Sequence, residues 1–413
     1  MSREDIVAGL DIGTSKVAAI IGVIDDDGKI EVTGIGLAPS RGLRKGVVVN
    51  LETTTAAIEK AINDAEMMAG VEVGSVYAGI AGGHIRGANH HGVIIVPNRK
   101  NRTITEADIK RVINQAKAVE IPIEREILVA LPREFIVDDQ RGISDPVGMS
   151  GTRLEALIHI VTGAVTSVQN IVKAINGAGL AVEDIVLQPM ASSEAVLEQD
   201  EKELGVILVD MGAGTTDVVI YVNGAIWHTG VVPLGGEQVT NDIAIGLRTP
   251  LPSAEEIKQN SGCALISSVN SGETIEVPSV GGRKSRVVAK RALAEIIQPR
   301  MAELLELVYR EVQTSGYGDM APAGVVITGG ASLLAATSEL AEHIFDMPVR
   351  IGYPRQVIGL ADKVKDPIYA TGVGLLLHGA RERMAGNGTR RYIKGNHFNR
   401  ILKRMKEWLS NYF

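Results

Sequence analysis

The chain has 413 residues, 45% hydrophobic but only 3% aromatic, so Val, Ile, Leu and Ala must fill the cores of two or more domains. A net charge of −7 argues against general nucleic-acid affinity, and a single cysteine, Cys263, excludes an intrachain disulfide and suggests a reducing compartment. The opening MSREDIVAGL lacks a signal-peptide core, and no uncharged apolar run reaches the ~18 residues of a membrane span. In chain order, the first element predicted is an apolar strand ending at Asp11. A small-residue turn with Gly13, Thr14, Ser15 and Lys16 follows, then a strand to Ile24, the turn DDDGK and a strand from Ile30. Asp-x-Gly-Thr is ordinary turn chemistry. It is also phosphate-binding chemistry: glycine-turn N–H groups converge on an anion, hydroxyls add donors, and a strand-end carboxylate holds Mg²⁺ through water.

Next come GVIIVP and EILVALPREFIV, which read as strands around a helix TEADIKRVINQAKAV with Ile109, Val112, Ile113 and Ala116 at helical spacing. About 200 residues after the first hairpin its design returns. A strand ends at Asp210, a turn carries Gly212, Gly214, Thr215 and Thr216, Asp217 opens a second strand, and Asn223-Gly224 turns into a third. Two such meanders predict two similar domains that offer one loop each to a shared cleft. SAEEIKQNSG reads as a helix start with Ser253 as cap and Glu256 at the capping-box position. Glu255 and Lys258 share a face there, as a surface ion pair or as partners of a ribose and an adenine edge. AGVVITGGASLL reads as a buried strand, the diglycine Gly329-Gly330 and a helix carrying Ser332. The diglycine lets backbone approach a flat ligand closely.

The chain closes on FNRILKRMKEWLSNYF. Phe398, Ile401, Leu402, Met405, Trp408, Leu409, Tyr412 and Phe413 fall on one apolar arc, with Arg400, Lys403, Arg404 and Lys406 outside it. From Arg381 onward nine Lys and Arg stand against Glu382 and Glu407, a net of +7. Such a helix either docks on the protein's own core or lies in the interface of an anionic membrane. The polar stretch AGNGTRRYIKGNH before it suits a tether, and basic charge with interfacial aromatics favours the membrane.

Taken in order, DIGTSK, DMGAGTTD and ITGGASLL resemble the two phosphate motifs and the adenosine motif of the actin, Hsp70 and sugar-kinase ATPase superfamily. GGEQVTNDIA followed by Glu255 and Lys258 resembles its nucleotide-binding stretch, which adds Gly236 and Asn241 to the site. PSRGLRKGVVVNLE, DPVGMSGTRLEA, SGCALISS, VPSVGGR and IIQPRMAELLELV narrow the resemblance to the FtsA family of bacterial cell-division proteins, over essentially the whole chain.

That resemblance implies an α/β, actin-like two-domain ATPase fold with an inserted subdomain and a C-terminal amphipathic helix. The first actin-like domain (1A) would be 1–83 with 164–199 and 369–383, and the inserted α+β subdomain (1C) 84–163. The second domain (2A) would be 200–230 with 292–368, its smaller lobe (2B) 231–291, the linker 384–397 and the membrane-targeting helix 398–413. The implied ligands are ATP and Mg²⁺, the latter near Asp11 and Asp210. The implied function is a polymer on the cytoplasmic face of the inner membrane at the division site. It would hold the acidic tail of the tubulin-like FtsZ, with Lys290, Arg291 and Arg300 as basic candidates, and recruit later division proteins through the insert. One departure bears on catalysis. Hsp70 and the actin-like MreB carry Glu-Pro followed by small residues before the second phosphate loop, whereas this chain has Gln188 in LQPMASSEAVL. Glutamine orients water but cannot take its proton, so binding is expected to be firmer than hydrolysis. The rival within the superfamily, a sugar or acetate kinase, would need a base for its acceptor hydroxyl and has little use for an amphipathic tail.

Overall fold

The computed structural model describes residues 6–25, 27–97 and 102–385. The chain opens with β1 (Ile6–Ile12), β2 (Lys16–Ile24) and β3 (Ile30–Pro39), a small ribbon of β4 (Leu43–Arg44) and β5 (Val47–Val48), then α1 (Leu51–Ala69) and β6 (Ser75–Ile80). The strands read as near-continuous apolar runs because both sheet faces are covered, and β2 is buried along all but its ends. α1 begins where the Asn50 side chain accepts from Thr53 N and stops at Gly70 in the left-handed conformation. Its stripe of Ala57, Ile58, Ala61, Ile62 and Ala65 packs on β3 and β2.

The inserted unit follows: β7 (Arg86–Ile95), α2 (Glu106–Lys117), β8 (Arg125–Val137), β9 (Gln140–Ile143) and β10 (Arg153–Ala164). Its strands form an antiparallel sheet in the order β7-β10-β8-β9. α2 lies on that sheet through the four apolar residues the helical spacing selects, against Phe135, Leu154 and Ile158. The chain then returns through α3 (Val165–Gly177), β11 (Ala181–Leu187), α4 (Gln188–Val196) and α5 (Gln199–Leu204).

The second half has β12 (Val206–Met211), β13 (Thr216–Val222), β14 (Ala225–Val232), α6 (Gly236–Gly246), α7 (Leu251–Ser261), the hairpin β15 (Thr274–Val277) and β16 (Arg286–Ala289), and α8 (Lys290–Ser315). It ends with β17 (Val325–Thr328), α9 (Thr337–Phe345), β18 (Val349–Ile351), β19 (Val357–Gly359), α10 (Ala361–Val364) and α11 (Ala370–Met384). The main sheets have matching orders: β3-β2-β1-β6-β11 in the first and β14-β13-β12-β17-β18 in the second. Each is an antiparallel meander whose first strand pairs in parallel with the fourth. The repeated hairpins thus belong to two copies of one sheet design. Among the described residues no helix is long and apolar enough to cross a membrane.

Three details depart from the sequence reading. α7 starts at Leu251 with Pro250 as its cap, so Ser253 sits inside the first turn. Proline's fixed φ and missing N–H make it a better first-turn residue than a signal read from Ser253 alone. After the diglycine comes a short 3₁₀ turn, Gly330–Leu333, and the α-helix begins only at Thr337. Finally, β19 pairs in parallel with β3 on the first sheet, although the sequence places the second domain through residue 368. This pairing covers an otherwise open strand edge.

The insert is fastened to the second half as well as to the first. Arg133 stacks over Trp227, 4.0 Å from the ring centroid, and Asn89 donates to Trp227 O (3.3 Å) and meets the Tyr317 hydroxyl (3.1 Å). His159, almost wholly buried, bridges Asn89 Oδ1 (2.7 Å) and Thr229 Oγ1 (2.9 Å). Burial, with His228 and Arg133 nearby, depresses the His159 pKa to about 3. The folded chain therefore refuses a proton that the unfolded chain accepts below about 6.5. The stability contribution is complete above that pH and is lost as pH falls toward 3. His159→Gln should flatten the decline in melting temperature between pH 7 and 5. Thermal scans with the parent's full slope would show that His159 does not carry it.

Candidate functional site: two matched loops in contact

The two hairpin loops have the same geometry. Gly13 N donates to Lys16 O (2.9 Å) in the first, and Gly212 N donates to Thr215 O (3.0 Å) in the second. They also meet: a Cβ added to Gly214 would lie 2.5 Å from Thr14 Oγ1. Thr14 is fixed by a hydrogen bond from Gly46 N (3.2 Å), and Ser15 is exposed at the loop tip.

A carboxylate stands behind each loop. Asp11 Oδ2 lies 3.3 Å from Lys16 Nζ, and its Oδ1 accepts from Gln188 Nε2 (3.1 Å). Gln188, which the sequence sets before the second loop, is therefore beside the first, its amide on the Asp11 carboxylate. Asp210 is buried. Its Oδ2 accepts from the Ser192 hydroxyl and lies 3.4 Å from that of Thr371. Burial, eased by the Ser192 hydrogen bond and reinforced by the Asp11 charge, pushes its carboxyl up to about 6. Asp217, directly opposite Asp210 in the β12–β13 register, is pushed up to about 8 by burial and the Asp210 charge. Its Oδ2 accepts from Thr215 (3.2 Å), while its buried Oδ1 has no hydrogen-bond partner.

This donor set fits hydrated Mg²⁺. Among the described residues no three metal-ligating side chains cluster, but Mg²⁺ needs only one or two carboxylates when phosphates and water complete its shell. A cation there would favour the charged carboxyls that burial opposes.

The third motif lies against the second loop. Gly329 has φ of +82°, and an added Cβ would fall 2.5 Å from Asp210 Oδ1 and 2.6 Å from Met211 O. Gly330 faces more open space, since a Cβ there would meet only Ile368 at 3.4 Å. Gly236 N donates to Gly212 O (2.9 Å), which fixes the start of α6 on the loop. Lys258 Nζ binds Gly236 O (3.1 Å), Thr240 Oγ1 (2.9 Å) and Glu255 Oε2 (2.8 Å), and Glu255 also holds Thr240. Glu255 and Lys258 thus form a fixed pair close to both glycine motifs. Asn241 is half-buried, one position beyond Thr240.

Besides Thr215 on Asp217, two further assigned hydroxyls are already engaged in the scaffold. Thr216 Oγ1 donates to Leu234 O (2.9 Å), and Ser332 Oγ donates to Gly329 O (2.7 Å). They hold the loop and the diglycine in shape. Ser192 and Thr371, which sequence reasoning missed, touch Asp210 directly. The three basic candidates, all on α8, have internal partners: Lys290 with Glu273 (2.9 Å), Arg291 with Glu295 (3.3 Å), and Arg300 with Asp242 (2.5 Å) and Glu303. The residues from Phe398 to Phe413 lie outside the described residues.

A family model described as cell division protein FtsA matches residues 207–374, and one described as the SHS2 domain inserted in FtsA matches 82–162. The chain is 49% identical to the cell division protein FtsA of Pseudomonas aeruginosa over 414 residues, covering 99% of this chain and 98% of that one. Identity is 47% with the Neisseria meningitidis protein of that name, covering 100% and 99% of the two chains. It is 40% with that of Escherichia coli K12, covering 99% and 98%. Among solved structures, a chain of a PilM–PilN type IV pilus biogenesis complex aligns with a TM-score of 0.66 at 17% identity, over 91% of this chain and 98% of that one. MreB5 of Spiroplasma citri bound to ADP aligns with a TM-score of 0.56 at 13% identity, over 93% and 98%. With its actin-like fold, its SHS2 insert and these full-length relatives, the chain belongs to the FtsA family of cell-division proteins.

Proposed function

We propose that the chain binds ATP with Mg²⁺ between its two matched loops and assembles into an actin-like polymer on the cytoplasmic face of the inner membrane. There it anchors the FtsZ ring and helps recruit later division proteins through the insert. The observation that carries the nucleotide part is the contact between Thr14 and Gly214, which brings the two loops and the carboxylates behind them together. Likeness in fold to MreB5 structures bound to ADP and to AMPPNP supports it. Loop N–H groups and Thr14, Ser15 and Thr215 would hold the phosphates, Lys16 would supply positive charge, and Asp11 and Asp210 would hold the waters of Mg²⁺. Glu255 and Lys258 would face the ribose and adenine edge, with Gly329-Gly330 under the adenosine. Bound Mg²⁺ supplies charge neutralisation at the phosphates. Gln188 can orient water but takes no proton, so at most weak ATPase activity is expected.

Membrane attachment rests on the sequence of the tail. Arg400, Lys403 and Arg404 would face anionic headgroups, and the arc from Phe398 to Phe413 would enter the acyl boundary. The FtsZ tail would dock on the smaller lobe. Arg286 reaches Leu247 O, which ties the β15–β16 hairpin to the end of α6; Ile245 and Val287 on these elements are exposed, and α8, which bears Lys290, Arg291 and Arg300, follows β16 directly. An acidic peptide would have to displace internal carboxylates from those bases, a cost a competing partner carboxylate can offset.

Electron microscopy on anionic lipid monolayers tests membrane binding, assembly and nucleotide dependence together. Lipid-bound filaments with ATP are expected, and filaments indifferent to both lipid and nucleotide would overturn the proposal. Trp408→Glu replaces a large apolar contact with a carboxylate facing anionic lipid, and each change costs on the order of 1 kcal/mol or more. That variant should leave anionic vesicles in co-sedimentation while keeping ATP affinity. Parent-like pelleting, or loss of ATP binding as well, would mean that the tail docks on the protein's own core.

A further inference from the structure

α4 lies on the seam between the two halves and touches both carboxylates. Its first residue, Gln188, donates to Asp11 in the first half. One turn later and on the same face, Ser192 reaches Asp210 in the second half, and the adjacent Ser193 meets the Tyr221 hydroxyl of β13 at 2.5 Å. Thr371, at the start of α11, lies 3.0 Å from the Ser192 hydroxyl and 3.4 Å from the same Asp210 oxygen. α11 packs on β1, β2 and β6, and α4 on α11 and β11, so Ser192 and Thr371 belong with the first half. The two helices are in close contact, since a Cβ on Gly374 would overlap Ala191 O at 1.7 Å.

Each hydroxyl carries one proton, which orders the chain of bonds. The Ser192 proton has two acceptors in reach, Gln188 O at 3.0 Å and the closer, charged Asp210 Oδ2. The carboxylate is the stronger acceptor. With the Ser192 proton on Asp210, Thr371 is the donor at the 3.0 Å contact to Ser192 Oγ, shorter than its 3.4 Å approach to Asp210 Oδ2, giving a relay from Thr371 through Ser192 to Asp210. Ser192 is fully buried and Thr371 nearly so. A buried helical hydroxyl is costly unless bonded, and alanine would serve packing alone at either place. Both hydroxyls converge on Oδ2, which leaves Oδ1 on the side of Gly329.

We infer that Ser192, backed by Thr371, is a positioning residue that holds the Asp210 carboxylate from across the seam and so couples Mg²⁺-dependent nucleotide binding to the fit of the two halves. This rests on the nucleotide reading above. The test is calorimetric ATP affinity with Mg²⁺ and with EDTA for the parent, Ser192→Ala, Thr371→Val, Thr371→Ser and the double variant Ser192→Ala/Thr371→Val. Ser192→Ala should lose roughly tenfold in affinity with Mg²⁺ and nothing in EDTA. Thr371→Val should lose less, the double variant no more than Ser192→Ala, and Thr371→Ser should behave as the parent. Equal losses with and without Mg²⁺, or an undiminished Mg²⁺ gain in Ser192→Ala, would overturn the inference. If the parent binds no ATP, the nucleotide reading falls separately, and melting temperatures decide the relay. Coupled shifts in the double-variant cycle are expected, and additive ones would refute it.

Discussion

Asp210→Asn should lower affinity for the Mg²⁺ complex of ATP by about 10–100-fold while leaving the folded chain as stable as the parent or more so. Function and stability then move apart, as expected of a buried charge kept for a ligand at a cost in stability. Burial beside Asp11 pushes the Asp210 carboxyl up to about 6. In the ligand-free protein, destabilisation therefore grows as pH rises from the ordinary carboxyl range through 6 and is complete above it. Asparagine keeps the shape and an oxygen for Ser192 and removes the charge. At pH 8 the variant should melt at or above the parent's temperature in the absence of nucleotide. ATP titrated with and without Mg²⁺ measures the functional half. A parent-like Mg²⁺ gain would show that Asp210 does not serve the cation.

Gly330→Asp should cost nucleotide affinity on the order of 100-fold or more, because it places an unpaired charge where the adenosine would pack. The fold should tolerate it, since an added Cβ meets only Ile368 at ordinary contact distance. Gly329 differs. Its positive φ and the proximity of Met211 O make a side chain there a lesion of the loop itself. The two neighbours thus separate binding from folding. Circular dichroism and ATP titration on Gly330→Asp should give native structure with no binding, and normal binding would remove the diglycine from the site.

The elements that were legible in the sequence are those whose determinants are local. The two hairpins announce themselves by apolar strands around a carboxylate and glycines, and α2 by four apolar residues at helical spacing. The ordered pair of hairpins foretold two matching halves, which the equal sheet orders show. Features that depend on distant pairing were not legible. Ser192 and Thr371 are 179 positions apart, and in the sequence Ser192 is one small residue in a run of small residues. The stacking of Arg133 on Trp227 and the exchange of β19 onto the first sheet depend on how units pack, which local spacing does not encode. Ser253 failed as a cap because Pro250 and Pro252 set the start of α7 three residues earlier. Thr216 and Ser332 carry the right chemistry in the right motifs, yet their hydroxyls are bonded to backbone carbonyls.

The most direct test of the two-loop account is a crystal structure of the chain with Mg²⁺ and a non-hydrolysable ATP analogue. Phosphates are expected between the turns at Gly13–Lys16 and Gly212–Thr215, with a cation whose waters reach Asp11 and Asp210 and an adenosine between the Glu255–Lys258 pair and Gly330. A nucleotide bound elsewhere, or a cleft without nucleotide at saturating analogue, would contradict it.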